Sequence, residues 1–99
     1  MYVSLSRLRV AEGRADELVG AFRERVGLVD CFEGFVDLQV WQSDRDPGEL
    51  MMVSRWRDRE CFKRYMKSPE HQRSHDRINP GLNAAIKLEK LEHLHVVAE

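Results

Sequence analysis

The chain of 99 residues is 42% hydrophobic and 33% charged, enough apolar material for a core and too little polar bias for a disordered polymer. Its length predicts one domain over residues 1–99. Sixteen Lys and Arg against seventeen Asp and Glu lack the basic excess that drives binding to phosphate backbones or anionic lipid, so no nucleic acid and no membrane is expected as a partner.

The longest apolar run, Leu50-Met51-Met52-Val53, falls far short of the roughly 20 residues a bilayer span needs. The start, Met1 to Arg7, has no charged, apolar and cleavage regions of a secretion signal. Cys31 and Cys61 stand apart with no CxxC spacing, so a reduced, cytoplasmic chain is expected.

Taken in chain order, Tyr2 to Val10 alternates and predicts a first strand, closed by a turn at Glu12-Gly13. Ala15, Leu18, Val19, Phe22, Val26 and Val29 then fall at helical spacing, predicting a helix that ends near Asp30. Phe35 to Gln42 returns to period two, with Val36, Leu38 and Val40 expected on one face and Phe35 and Trp41 on the other. Asp46-Pro47-Gly48 marks a turn, so strand three, Leu50 to Arg57, should pair antiparallel with strand two.

Asp58 reads as a helix N-cap ahead of Phe62, Tyr65 and Met66, and Ser68-Pro69 restarts the chain as a further helix to about Ile78. Asn79-Pro80-Gly81 breaks it, a loose connection follows, and a last strand is expected over about Lys87 to Val97. The order β-α-β-β-α-β predicts an α+β, ferredoxin-like fold, a four-stranded antiparallel sheet with helices on one face. Leu50 to Val53 must point alternately to both faces, and two helical segments cover only one, so a homodimer packed through the open sheet face is expected.

Three segments carry a family likeness: Glu33-Gly34-Phe35 before strand two, Val53-Ser54-Arg55-Trp56 in strand three, and Phe62-x-x-Tyr65-x-Lys67-Ser68-Pro69 leading to Ser74-His75. Through them the chain resembles the antibiotic biosynthesis monooxygenase (ABM) domains, dimeric α+β barrels, and within that family the small haem-degrading monooxygenases. In those members a histidine at the position of His75 ligates the haem iron. A tryptophan at the position of Tyr65 presses on the porphyrin, and an asparagine at the position of Ser6 contacts the distal side. The resemblance thus implies haem as cofactor, His75 as its iron ligand, and Ser6 and Tyr65 as further catalytic positions, two of them departing from the family pattern. Tyrosine is smaller than tryptophan and adds a hydroxyl, and serine lacks the second functional atom of an amide.

Phe22, Phe62 and Met66 are expected to line the slot between helices and sheet and exclude water from a bound cofactor. Two other readings stand beside haem breakdown. One is a cofactor-independent oxygenase of an aromatic or quinol substrate, and the other a non-catalytic dimeric module holding a small apolar or aromatic ligand. His71 and His75 share a helix face and His93 and His95 a strand face, pairs that more often serve packing than a metal. Arg7, Arg9, Arg55 and Arg57 alternate on neighbouring strands and are expected to pair with carboxylates such as Asp37 or Glu89.

Overall fold

Regular alternation and turn chemistry generate the strands, and amphipathic segments the helices, with side-chain caps opening the helices that begin after Asp58 and Asn79. In the computed structural model, which describes residues 1–24, 29–76 and 78–99 apart from the side chain of His75, the order is β1 (Tyr2–Val10), α1 (Ala15–Arg23), β2 (Phe35–Gln42), β3 (Glu49–Trp56), α2 (Arg59–Met66), α3 (Pro69–Asp76), α4 (Pro80–Ala84) and β4 (Ile86–His95). The strands form one antiparallel sheet in the order β2-β3-β1-β4, the expected ferredoxin-like arrangement. Among the described residues no helix is long and apolar enough to cross a membrane.

Register decides which side chains meet the helices. Tyr2 lies opposite Trp56 and His95, Ser4 opposite Ser54 and His93, Ser6 opposite Met52 and Leu91, and Leu8 opposite Leu50 and Leu88. Tyr2, Trp56 and Leu50 are buried with residues of α1 and α2, so this parity is the helix side. Val3, Leu5, Arg7, Met51, Val53 and Arg55 point to the opposite face, as the Leu50–Val53 run required.

The caps follow from their side chains. Asp58 accepts a hydrogen bond from the Cys61 N–H at 2.9 Å, and that backbone donor holds its carboxyl below the ordinary carboxylate range. Gly34, at φ +82°, lies so close to α2 that an added Cβ would overlap the Cys61 sulfur.

Four sequence expectations need correcting. Helix one stops at Arg23 rather than near Asp30, and the N–H of Glu24 closes it on the carbonyls of Gly20 and Phe22. Val26 lies outside the described residues, while Val29 is buried in the cluster beneath α2 instead of extending α1. In β2 the register shifts between Phe35 and Asp37, leaving Val36 as an extra residue, 45% exposed. The shift moves Phe35 to the helix side with Leu38 and Val40 and away from Trp41. The segment expected as a loose connection contains α4, whose first turn Asn79 caps by accepting from the Gly81 N–H at 2.8 Å, with Pro80 as the first helical residue. Finally, β4 runs from Ile86 to His95, ending short of Val97, with its own register shift opposite Arg7 and Leu8.

Candidate functional site

The helix side of the sheet carries two separate apolar clusters. Beneath α2, Tyr2, Val29, Trp56, Cys61, Phe62 and Tyr65 pack together, flanked by Phe32 and Phe35. Beneath α1 and α4 the cluster is Val10, Leu18, Leu50 and Leu82, flanked by Val19, Phe22, Val40, Ile78 and Ile86. The repeat Ala15, Leu18, Val19, Phe22 supplies the face that α1 turns to this second cluster.

A strip of sheet between the clusters belongs to neither. Its floor is Ser4 and Ser6 on β1, Met52 and Ser54 on β3, Leu38 on β2, and Leu88, Leu91 and His93 on β4. Ser54 accepts from the Trp56 indole at 3.0 Å, whereas among the described residues the Ser6 hydroxyl has no side-chain partner. Leu88 and Leu91 are 55% and 53% exposed although they face the helix side. Beside the strip, Val19, Phe22, Arg23, Leu38, Val40, Gln42 and Leu50 enclose an open cleft of about 330 Å³, at the small end of ligand pockets.

The residues named from sequence distribute unevenly over this surface. Ser6 sits on the floor of the strip, and Phe22 lines the cleft. Phe62 and Tyr65 are both in the aromatic cluster: Tyr65 has ring neighbours Trp56 and Phe32, each at 5.3 Å, and Phe62 has Tyr2 at 5.5 Å. Met66 is exposed at the end of α2. His75 belongs to α3, one turn beyond His71, and its side chain lies outside the described residues. The structure therefore brings Tyr65 and Phe62 into one cluster and puts Phe22 in the other.

The His71 and Tyr65 rings meet nearly perpendicular at 5.2 Å, and among the described residues no three His, Cys, Asp or Glu side chains converge as a metal site. Arg55 and Arg9 pair with the expected strand carboxylates Asp37 and Glu89, whereas Arg57, just past the end of β3, pairs outside the sheet. Arg55 meets both carboxylate oxygens of Asp37, Arg9 meets Asp46 at 2.9 Å and Glu89 at 3.3 Å, and Arg57 meets Glu33 at 3.3 Å. The hydrogen bond from Arg55 lowers the Asp37 carboxyl pKa, and that from Arg9 lowers Asp46.

Sequence reasoning missed the uncovered pair Leu88 and Leu91. The only available signal was the apolar residues within an otherwise charged β4, and their helix-side placement depends on the register shift.

The family model described as antibiotic biosynthesis monooxygenase matches residues 1–77. The chain belongs to this family. Heme-degrading monooxygenase HmoA from Bacillus subtilis is 30% identical over 83 residues, covering 82% of this chain and 75% of that protein. The staphylobilin-producing heme oxygenase of Staphylococcus epidermidis is 29% identical over 77 residues, covering 76% and 73%. Among solved structures of the ABM fold, the haem degrader MhuD from Mycobacterium tuberculosis, with two haems bound in its active site, superposes with a TM-score of 0.82. It is 21% identical, covers 100% of this chain and 98% of its own, and shares the fold.

Proposed function

We propose that this ABM protein binds haem over the helix-side strip and degrades it as a monooxygenase, with His75 ligating the iron. The observation that carries the reading is the strip, open along β4 where Leu88 and Leu91 are exposed, with the Ser6 hydroxyl on its floor and an apolar cluster at each end. Such a surface suits a flat, largely apolar molecule with a polar edge. The names of the curated relatives support the same reading.

Bound haem supplies iron to activate O₂ and a porphyrin to be oxidised. The chain's own residues bind, orient and exclude water. His75 on α3 offers a neutral imidazole nitrogen. Ser6 offers a hydroxyl donor from the strip floor, and Leu38, Leu88, Leu91 and Phe22 supply apolar contact. Tyr65 and Phe62 anchor α2, the platform from which α3 continues, with Met66 at its exposed end.

The homodimer belongs to the same proposal. On the open face Trp41 and Leu94 remain 46% and 41% exposed, and the Arg7 Nε is buried without a hydrogen-bond partner among the described residues. A second copy would cover the former and offer an acceptor to the latter. We assign the protein to the reducing cytoplasm because Cys31 and Cys61 are both free thiols.

A haem titration of the purified protein tests the reading. The expected result is a Soret shift saturating at a fixed haem-to-protein ratio and lost in His75→Ala but kept in His71→Ala. No shift, or one indifferent to His75→Ala, overturns it. Oxygen uptake with a quinol and no haem would then favour the cofactor-independent oxygenase.

A further inference from the structure

At the α2 end of the strip, β4 presents an imidazole held in a defined way. His93 lies opposite Ser4, two residues along β4 from Leu91, the partner of Ser6, and so faces the helix side. Its Nδ1 is hydrogen-bonded to the hydroxyl of Tyr2, a residue only 3% exposed. The ring is clamped edge-on between Tyr2 at 5.6 Å and Phe62 at 5.5 Å. His93 itself is exposed, and among the described residues its Nε2 has no partner.

The chemistry of that hydrogen bond fixes the proton. A phenol is a far stronger donor than a neutral imidazole N–H, so Tyr2 donates and Nδ1 accepts. The neutral ring then carries its hydrogen on Nε2, an N–H donor with no acceptor among the described residues. Two aromatic neighbours and a buried anchor leave little rotamer freedom to lose on binding, which is the condition for an effective ligand contact.

We propose that His93 is a ligand-contacting residue of the strip, donating from Nε2 to an anionic oxygen on the bound molecule, with Tyr2 as the positioning residue that sets its tautomer. The assignment rests on the haem reading above. Haem offers that chemistry from two sources, a propionate at its rim or an oxygen-bearing ligand at the iron.

Two substitutions separate this role from mere satisfaction of the Tyr2 hydroxyl. In His93→Asn, Oδ1 stands where Nδ1 stood and keeps the bond to Tyr2, but the distal donor is gone. In His93→Gln, the amide reaches the place of Nε2 while the anchor is lost. The expected result is that His93→Asn melts like the wild type yet binds haem roughly tenfold more weakly, the worth of one hydrogen bond to a charged group. His93→Gln melts lower, because a buried hydroxyl loses its acceptor, and binds between the wild type and His93→Asn, because it keeps a donor but loses the anchor that positions it. Repeating the titration with haem dimethyl ester locates the acceptor. A gap between wild type and His93→Asn that closes assigns it to a propionate, and one that persists assigns it to the iron side.

Wild-type haem affinity in His93→Asn overturns the proposal while leaving the haem reading intact. A ring ¹⁵N spectrum of the ligand-free protein showing the hydrogen on Nδ1 overturns it as well. Absence of any Soret shift in the wild type overturns both readings together.

Discussion

The two clusters on the helix side do the same thermodynamic work with different materials. The one beneath α2 is aromatic, with Trp56 at its centre touching Phe32, Phe35, Phe62 and Tyr65 at ring distances of 5.3 to 6.4 Å. The one beneath α1 and α4 is aliphatic, built on Val10, Leu18, Leu50 and Leu82. Rings with fixed edges and polar tips define directions, and through Tyr2 and Trp56 this cluster reaches out to His93 and Ser54. Aliphatic side chains carry no such handles, and the cleft opens on their side. The lesson is that the α2 cluster itself orients groups at the strip, whereas the α1 cluster shapes the volume of a cleft whose polar groups, Arg23 and Gln42, lie outside that cluster.

The largest break comes from Trp56→Ala, which removes the centre of the aromatic cluster and should cost about 4 kcal/mol in chemical denaturation, with collapse of the near-UV dichroism. Leu18→Ala, fully buried on the other side, should cost about 3 kcal/mol and leave that signal in place. If the strip separates the clusters energetically, the double variant will be additive to within about 0.5 kcal/mol, and a larger coupling would show one continuous core.

Gly34→Ala reaches only the aromatic side. Its positive φ and its overlap with Cys61 should cost about 2 kcal/mol, whereas Gly13→Ala, also at positive φ but with open space around it, should cost about 1 kcal/mol. Equal losses at the two glycines would mean that α2 yields freely to Gly34.

The smallest effect concerns the caps. Asp58 begins α2 with a carboxylate and Asn79 begins α4 with an amide, so only the aromatic end has a titratable cap. The Asp58 pKa is lower in the folded chain than in the unfolded one. Its stabilisation is therefore complete above the unfolded value, near 3.9, and is lost as pH falls through the folded value. Melting curves from pH 7 to 2.5 should show Asp58→Asn with a shallower acid decline than the wild type, and parallel curves would remove Asp58 from the account.

Much of the fold was legible because its signals are local. Alternation gave β1 its bounds, and Asp58 and Asp46-Pro47-Gly48 punctuated the chain by their own side chains. The Leu50–Val53 run declared a sheet apolar on both faces. The register shifts at Val36 and opposite Arg7 and Leu8 were not legible, since a bulge is a relation between two strands and only one is seen at a time. Asn79-Pro80 was a readable helix start, passed over because five residues carry too little periodicity. For the site, Ser6 was named through the family resemblance alone and its helix-side placement comes from the register, while the bond from Tyr2 to His93 spans a separation of 91 residues and needs the whole topology.

That separation also bears on how the protein is made. β1 is a central strand whose two neighbours, β3 and β4, both follow it in sequence, and the second begins 76 residues after β1 ends, at Ile86 against Val10. At ordinary translation rates of about 5–20 residues per second, β1 waits roughly 4–15 s with one edge unsatisfied. Closure of this sheet waits for β4, and during that interval the nascent chain offers a strand edge that a chaperone, or another nascent copy, could occupy first.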